Sequence, residues 1–144
     1  MRKYISASVE ETENIAYEIA KTVSAPQVIC LIGELGAGKT AFARGFVRAF
    51  GINKGVCSPT FTIMHRYEGE KTIDHYDLYR INSVEELEET GFFEQIEHNI
   101  SLVEWADMFL NNMPSESIFI RITKGERDDD RIITRSDKND DACS

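Results

Sequence analysis

Apolar residues recur along this chain at two spacings, and the switches between them outline an α/β protein. Ile15, Ala16, Ile19, Ala20 and Val23 form one stripe at helical spacing, and Ser8 with Glu11 three residues later is a capping box, so a first helix is predicted over 9–23. After Pro26 comes Val28, Ile29, Cys30, Leu31 and Ile32, an uncharged β-branched run that reads as a strand buried on both faces of a parallel sheet. Phe42, Phe46 and Phe50 then repeat every fourth residue beside Ala43 and Val47, and Gly51 marks a helix stop. Residues 51–59 read as a loop. Alternation over 61–68 and 71–78, joined at Gly69, predicts a β-hairpin.

Ser83 and Glu86 form a second capping box, opening a short helix that runs to about Glu89 and stops at Gly91, and Phe92, Phe93 and Ile96 begin another apolar face. Residues 100–105 read as a buried strand ending in Glu104 and Trp105, and 106–111 as a short helix ended near Pro114. Ile118, Ile120 and Ile122 at period two, a polar turn over 124–130 and a strand over 131–135 make a second hairpin. Residues 136–144 carry almost no apolar side chain and are expected to form a disordered acidic tail. No internal repeat is visible. The expected architecture is a three-layer α/β domain over 1–135, with a mixed, mostly parallel sheet flanked by helices and interrupted by hairpins. Strand order is not legible.

Between the buried strand and the phenylalanine helix lies Gly33-Glu34-Leu35-Gly36-Ala37-Gly38-Lys39-Thr40, a complete phosphate-binding loop. Glycine has no Cβ to block positive φ or close approach, so successive backbone N–H groups can point at phosphate oxygens while the following helix adds its positive end. Lys39 reaches the β and γ phosphates of a nucleoside triphosphate, and Thr40 offers a hydroxyl to a Mg²⁺ ion bridging them. The strand before and the helix after are the context this loop requires.

Composition narrows the partners. The formal net charge of −9 opposes direct gripping of nucleic acid, which needs a concentrated basic surface. The acidic stretches 10–18, 85–97 and 128–141 read as solvated helix faces and a tail. An apolar fraction of 42% with 28% charged residues is ordinary for a soluble domain, no run is long enough to cross a bilayer, and Met1 to Tyr4 lead into no secretory h-region. A cytoplasmic location is expected. Cys30, Cys57 and Cys143 are odd in number and show no Cys-x-x-Cys spacing, so neither a disulfide framework nor a zinc site is indicated.

A triphosphate site needs a second acidic group near the metal, commonly at the end of a strand beside the one feeding the loop, and Glu104 is the best candidate. A carboxylate at the edge of a dry core is costly unless a cation or donors meet it. Within Asp74-His75-Tyr76-Asp77-Leu78-Tyr79-Arg80, Asp77 can orient the attacking water or share the metal's water shell. Arg80 is either an internal arginine for transition-state charge or a surface salt-bridge partner, and His75 either a core residue or a partner-facing one. Thr60, in Ser58-Pro59-Thr60-Phe61, is either a γ-phosphate sensor or part of an ordinary turn before a strand. Trp105 either fills the core or marks a partner contact.

Taken together, Gly-Glu-Leu-Gly-Ala-Gly-Lys-Thr, Ser-Pro-Thr-Phe-Thr, His-Tyr-Asp-Leu-Tyr-Arg and Val-Glu-Trp-Ala-Asp, in this order, closely resemble the bacterial TsaE (YjeE) ATPases, over residues 8–135. The resemblance implies a small cytoplasmic P-loop ATPase required for threonylcarbamoyl (t6A37) modification of tRNA, acting on a TsaD/TsaB transferase complex and meeting tRNA only indirectly. It implies a P-loop NTPase fold, ATP and Mg²⁺ as cofactors, and a chain that is a monomer or weak oligomer when alone. By motif, Glu34, Leu35, Gly36, Ala37, Gly38, Lys39, Thr40 and Ala41 would bind the nucleotide, Thr40 and Glu104 would hold Mg²⁺, and Lys39, Asp77 and Glu104 would serve catalysis. It also suggests adenine contacts from Ser8 or Thr12 and from Arg131. The aromatic Gly91-Phe92-Phe93-Glu94 and the tail after Ser136 depart from the family pattern, and neither touches the nucleotide motifs. Two other readings stand beside this one. A small-molecule kinase would need an acceptor pocket and an arginine-bearing lid, for which this chain has little length. A nucleotide-gated binding module without useful turnover would use the same loop.

Overall fold

The computed structural model describes residues 1–34, 36–53, 56 and 63–137. Leu35, Thr60 with its segment 58–61, Cys57, Cys143 and the tail beyond Asp137 lie outside the described residues.

One seven-stranded sheet organises the chain, in the order β1-β7-β6-β2-β5-β4-β3. Its strands are β1 (Arg2–Ser6), β2 (Gln27–Ile32), β3 (Met64–Glu68), β4 (Thr72–Asp77), β5 (Ile100–Glu104), β6 (Ile118–Lys124) and β7 (Arg131–Asp137). The four central strands, β6, β2, β5 and β4, run parallel, and antiparallel pairs close both margins: β3 on β4, and β7 then β1 on β6. Their burial explains the arrangement. Val28 to Ile32 and all of β5 are buried on both faces, as a parallel core strand requires, whereas the marginal strands β1 and β3 each bury a single residue, Ser6 and Tyr67.

Helices cover the two faces. On one side lie α1 (Val9–Ala20) and α2 (Lys39–Arg48), whose Ala16, Ile19, Phe42, Phe46 and Val47 are packed with Ile29, Leu31, Leu102 and Ile120. On the other lie α3 (Val84–Glu89), α4 (Phe92–Gln95) and the 3₁₀ helix Asp107–Asn112, which bring Leu87, Phe92 and Phe109 against Cys30, Ile32, Val103 and Phe119. Phe42 and Phe46 are wholly buried, and each such side chain contributes roughly 1.5–3 kcal/mol of apolar burial. Both predicted N-caps form: Ser8 accepts from the Glu11 amide and Ser83 from the Glu86 amide, each at 3.1 Å, while the Glu11 carboxylate accepts from the Ala7 amide at 3.1 Å.

Three features differ from the sequence expectation. β1 was not anticipated, because this short edge strand buries only Ser6 and leaves Ile5 63% exposed, so its pattern carries little apolar signal. Its place is set by pairing with β7, from Arg2 opposite Arg135 to Ser6 opposite Arg131. Ser136 and Asp137, assigned to the tail by composition, instead complete β7, with Ser136 paired to Phe119 and Asp137 to Ile118. The first helix also ends at Ala20, earlier than 23, with Val23 still buried beneath its last turn. No described helix is long and apolar enough to cross a membrane.

Close approach of α1 and α2 depends on Gly45. A Cβ added there would lie 2.0 Å from the backbone oxygen of Glu13. Around this contact Arg44 and Arg48 each reach Glu13 at 3.3 Å. Gly45→Ala is therefore expected to lower stability by about 3 kcal/mol, as overpacking of a closely fitted contact does. Urea unfolding checks it, and an unchanged midpoint would show that the helices can separate freely.

Candidate functional site

The register of the parallel strands brings the chemistry to one edge. In the β2–β5 pair Leu31 lies opposite Glu104, and in the β4–β5 pair Asp77 lies opposite Glu104. Three adjacent strands thus end together at their carboxyl termini, where α/β sheets present their ligand crevice. From β2 the chain turns through the glycine loop into α2. Gly36 and Gly38 hold φ of 82° and 111°, a left-handed geometry that favours glycine, while the Ala37 amide donates to the Glu34 carbonyl at 3.0 Å. Gly38 is the N-cap of α2 and supplies no side-chain cap, which leaves the first-turn amides of Lys39, Thr40 and Ala41 available to an anion.

Lys39 opens α2 and is only 6% exposed. Its Nζ sits 3.9 Å above the centroid of Trp105, a cation–π contact in a largely desolvated setting. Burial pushes the Lys39 ammonium below its ordinary pKa, and the attraction of Glu104, Asp107 and Asp77 opposes that shift. Those three carboxylates therefore lie near enough to act on the charge of the lysine. Trp105 adopts φ of 58°, an uncommon conformation for a bulky residue, and the edge of its ring system meets Tyr79 at 5.1 Å between centroids. It is half-buried, so it neither fills the core nor stands free.

Glu104 is 2% exposed, and its Oε2 lies 2.5 Å from Nε2 of the wholly buried His75. The donor that a carboxylate in this position requires is a histidine. Nδ1 of His75 in turn meets the Tyr67 hydroxyl at 3.3 Å. Asp77 stands half-buried beside them, its Oδ1 accepting from the Tyr79 amide at 2.9 Å. Burial raises its pKa above the ordinary carboxylate value; that amide opposes the shift, Glu104 adds to it, and Lys39 and His75 oppose it.

Arg131 supports the loop from the neighbouring strand pair. Its Nε donates to the Ala37 carbonyl at 2.7 Å and its Nη2 to the Gly36 carbonyl at 3.3 Å, while Nη1 donates to the carbonyls of Asp128 and Asp130. Of the two N-terminal hydroxyls, Ser8 caps α1 and the buried Thr12 shares a 2.7 Å hydrogen bond with Ser6. Glu34 is exposed at the head of the loop, Thr40 is half-buried and Ala41 is buried. Arg80 is exposed beyond the end of β4. A cleft of about 560 Å³ opens beside the loop, lined by Gly33, Glu34, Ala37, Trp105, Arg121 and Lys124 among others.

The structure thus gathers Lys39, Asp77 and Glu104, and puts Thr40 one residue further along α2. Sequence reasoning missed the link from His75 to Glu104 and the influence of Asp107. The period-two pattern of β4 was the available signal for the first, since it puts His75 on the same sheet face as Asp77.

A central parallel sheet whose inner strand feeds a glycine loop and a capless helix N-terminus defines a P-loop α/β domain. The family model described as threonylcarbamoyl adenosine biosynthesis protein TsaE matches residues 6–133, and the chain belongs to that family. Among its relatives, the tRNA threonylcarbamoyladenosine biosynthesis protein TsaE of Bacillus subtilis is 39% identical over 134 residues, covering 92% of this chain and 83% of the relative. The protein of the same name from Rickettsia conorii is 42% identical over 103 residues, which cover 70% of this chain. The matched stretch spans 59% of that relative's length. Among solved structures, the crystal structure of Bacillus subtilis YdiB superposes with a TM-score of 0.77 at 34% identity, covering 94% of this chain and 84% of that one.

The elevated pKa of Asp77 has a consequence for stability. The folded chain holds this proton more tightly than the unfolded chain, so Asp77 subtracts stability as pH rises from the ordinary carboxylate value through its raised one. Asp77→Asn is expected to raise the melting temperature at neutral pH and to leave it little changed at pH 3. Equal melting temperatures of variant and parent at neutral pH would show that burial imposes no penalty there.

Proposed function

We propose that this chain is a Mg²⁺-dependent ATP-binding and ATP-hydrolysing protein required for threonylcarbamoyl modification of tRNA, acting in the cytoplasm on a TsaD/TsaB-type transferase complex. One observation carries the reading: the uncapped start of α2 behind Gly36 and Gly38, with Lys39, Asp77 and Glu104 gathered beside it. An anion with several phosphates is what such a donor-rich, glycine-lined turn accommodates. The family and the names of its relatives supply the tRNA-modification context.

In this reading the loop residues 34–38 and the first amides of α2 cradle the phosphates, and Lys39 leaves the Trp105 ring to reach the β and γ oxygens. The hard-oxygen donors here, the Thr40 hydroxyl and the Glu104 carboxylate, suit Mg²⁺. Among the described residues no cluster of three or more His, Cys, Asp or Glu could hold a metal, and in this reading most of the ion's ligands would come from the nucleotide's phosphates and water. Bound there, Mg²⁺ would be held by Thr40 and Glu104 and would offset the charge of the phosphates. Asp77, with its raised pKa and its place opposite Glu104, orients the water that attacks the γ-phosphate. Arg131 takes the loop carbonyls, so its support of the nucleotide runs through the loop backbone, and any adenine contact from it, Ser8 or Thr12 is additional to the bonds described.

Slow turnover by the isolated chain follows from how the resting site is engaged, with Lys39 on Trp105. A partner that completes the site would accelerate it. With its −9 charge the chain meets tRNA through that partner. Tyr79, 69% exposed, packs its ring on Trp105 and would offer an apolar surface beside the nucleotide.

ATP hydrolysis should be measured for the chain alone and then with the transferase proteins added, with a rise expected on addition. Lys39→Ala and Glu104→Ala should each lower the rate on the order of 10²–10³-fold. Persistent turnover in both would place the site elsewhere, and undiminished ATP binding with no turnover under any condition would favour a nucleotide-gated binding module. In a separate measurement, Trp105→Ala or Tyr79→Ala is expected to weaken association with the transferase more than ATP binding. Equal loss of both would remove the partner surface from this position.

A further inference from the structure

We propose that His75 is a positioning residue for the metal-binding carboxylate, orienting Glu104 through Nε2 while the Tyr67 hydroxyl holds the opposite side of its ring. The inference rests on the ATP–Mg²⁺ reading above and deepens it.

A glutamate has three side-chain torsions, and holding it in one orientation inside a core must overcome their freedom as well as the loss of hydration. Glu104 is 2% exposed, so water does little of this work. His75, wholly buried one strand away, places Nε2 2.5 Å from Oε2, so Oε1 is the oxygen that would remain to hold a metal. With Glu104 ionised, Nε2 carries the hydrogen and donates it, so Nδ1 is the acceptor for the Tyr67 hydroxyl at 3.3 Å. Tyr67 on β3, His75 on β4 and Glu104 on β5 thereby form one buried line of hydrogen bonds across three neighbouring strands.

Strand geometry ties this line to the rest of the site. His75 and Asp77 are two residues apart on β4 and share a face, and Asp77 lies opposite Glu104. One strand thus supplies both the carboxylate that orients water and the ring that orients the metal ligand. Partners of this kind fix the direction of a metal ligand and typically change metal affinity 10–100-fold when removed. A histidine present only for packing would lack that effect. The readout that separates the two roles is the Mg²⁺ requirement, independent of turnover.

The test is calorimetric binding of a non-hydrolysable ATP analogue across a series of Mg²⁺ concentrations, with binding in EDTA as the metal-free control. His75→Phe keeps the ring and removes the donor, and it should raise the half-saturating Mg²⁺ concentration by at least about tenfold while leaving metal-free affinity within about twofold. His75→Gln, whose amide can still donate, should recover most of the loss. In a Glu104→Gln background, His75→Phe should add less than about twofold, because the residue it acts through is already altered. An unchanged Mg²⁺ requirement with a lowered melting temperature, or the same factor in both backgrounds, would overturn the proposal. Should His75→Phe fail to fold, Tyr67→Phe carries the test: a rise in the same direction supports it and no change overturns it. A parent chain that binds no analogue at any Mg²⁺ concentration would overturn the ATP reading itself, whereas normal parent binding with indifferent variants removes only the role of His75.

Discussion

A carboxylate cannot stay inside a protein without donors, and the architecture around Glu104 answers that requirement. The parallel pairing of β4 with β5 sets His75 beside it, and the pairing of β2 with β5 sets the phosphate loop on its other side. Lys39 completes the surroundings, attracted to Glu104, Asp107 and Asp77 while its own burial opposes its charge. Each charged group here is unfavourable alone and tolerable in company. The company exists only because three strands end at the same level.

The sheet divides labour between its centre and its margins. Its four parallel strands have apolar faces covered by helices and hold the loop in place, while antiparallel strands at both edges extend the scaffold with mostly exposed or half-buried residues. At the β3–β4 margin Arg66 closes on the buried Asp74, its Nε 2.7 Å from Oδ1, and Asn99 donates to the other oxygen. That arrangement anchors the hairpin whose second strand carries His75 and Asp77. On the opposite side Arg131 reaches from β7 to the carbonyls of Gly36 and Ala37, so a marginal strand also fixes the loop's curvature. Both margins therefore act on the site, although neither contains the loop.

Much of this was legible in the amino-acid order. The capping boxes at Ser8 and Ser83, the positive φ of Gly51 and Gly91, the run from Val28 to Ile32 and the hairpin alternation are local patterns, and each corresponds to an observed element. β1 escaped notice because an edge strand need bury only one side, and Ile5, one of its two apolar residues, points to solvent. Ser136 and Asp137 looked like tail because polar residues pair in a sheet as readily as apolar ones when a neighbouring strand offers its backbone. For the site, Lys39, Asp77 and Glu104 were chosen from their types and positions. His75 was left between two roles, since a histidine in an alternating strand says nothing about which carboxylate it will meet.

What the sequence by itself determined is the loop and the elements around it, because glycine torsions, helix caps and hydrophobic period are properties of a few contiguous residues. What only the tertiary structure decided is who meets whom: His75 with Glu104, Lys39 with Trp105, and Arg131 with the loop carbonyls, across separations of 29, 66 and 94 positions. Those meetings follow from strand order and register, which are set by the summed packing of both faces of the sheet and are written in no single segment of the chain.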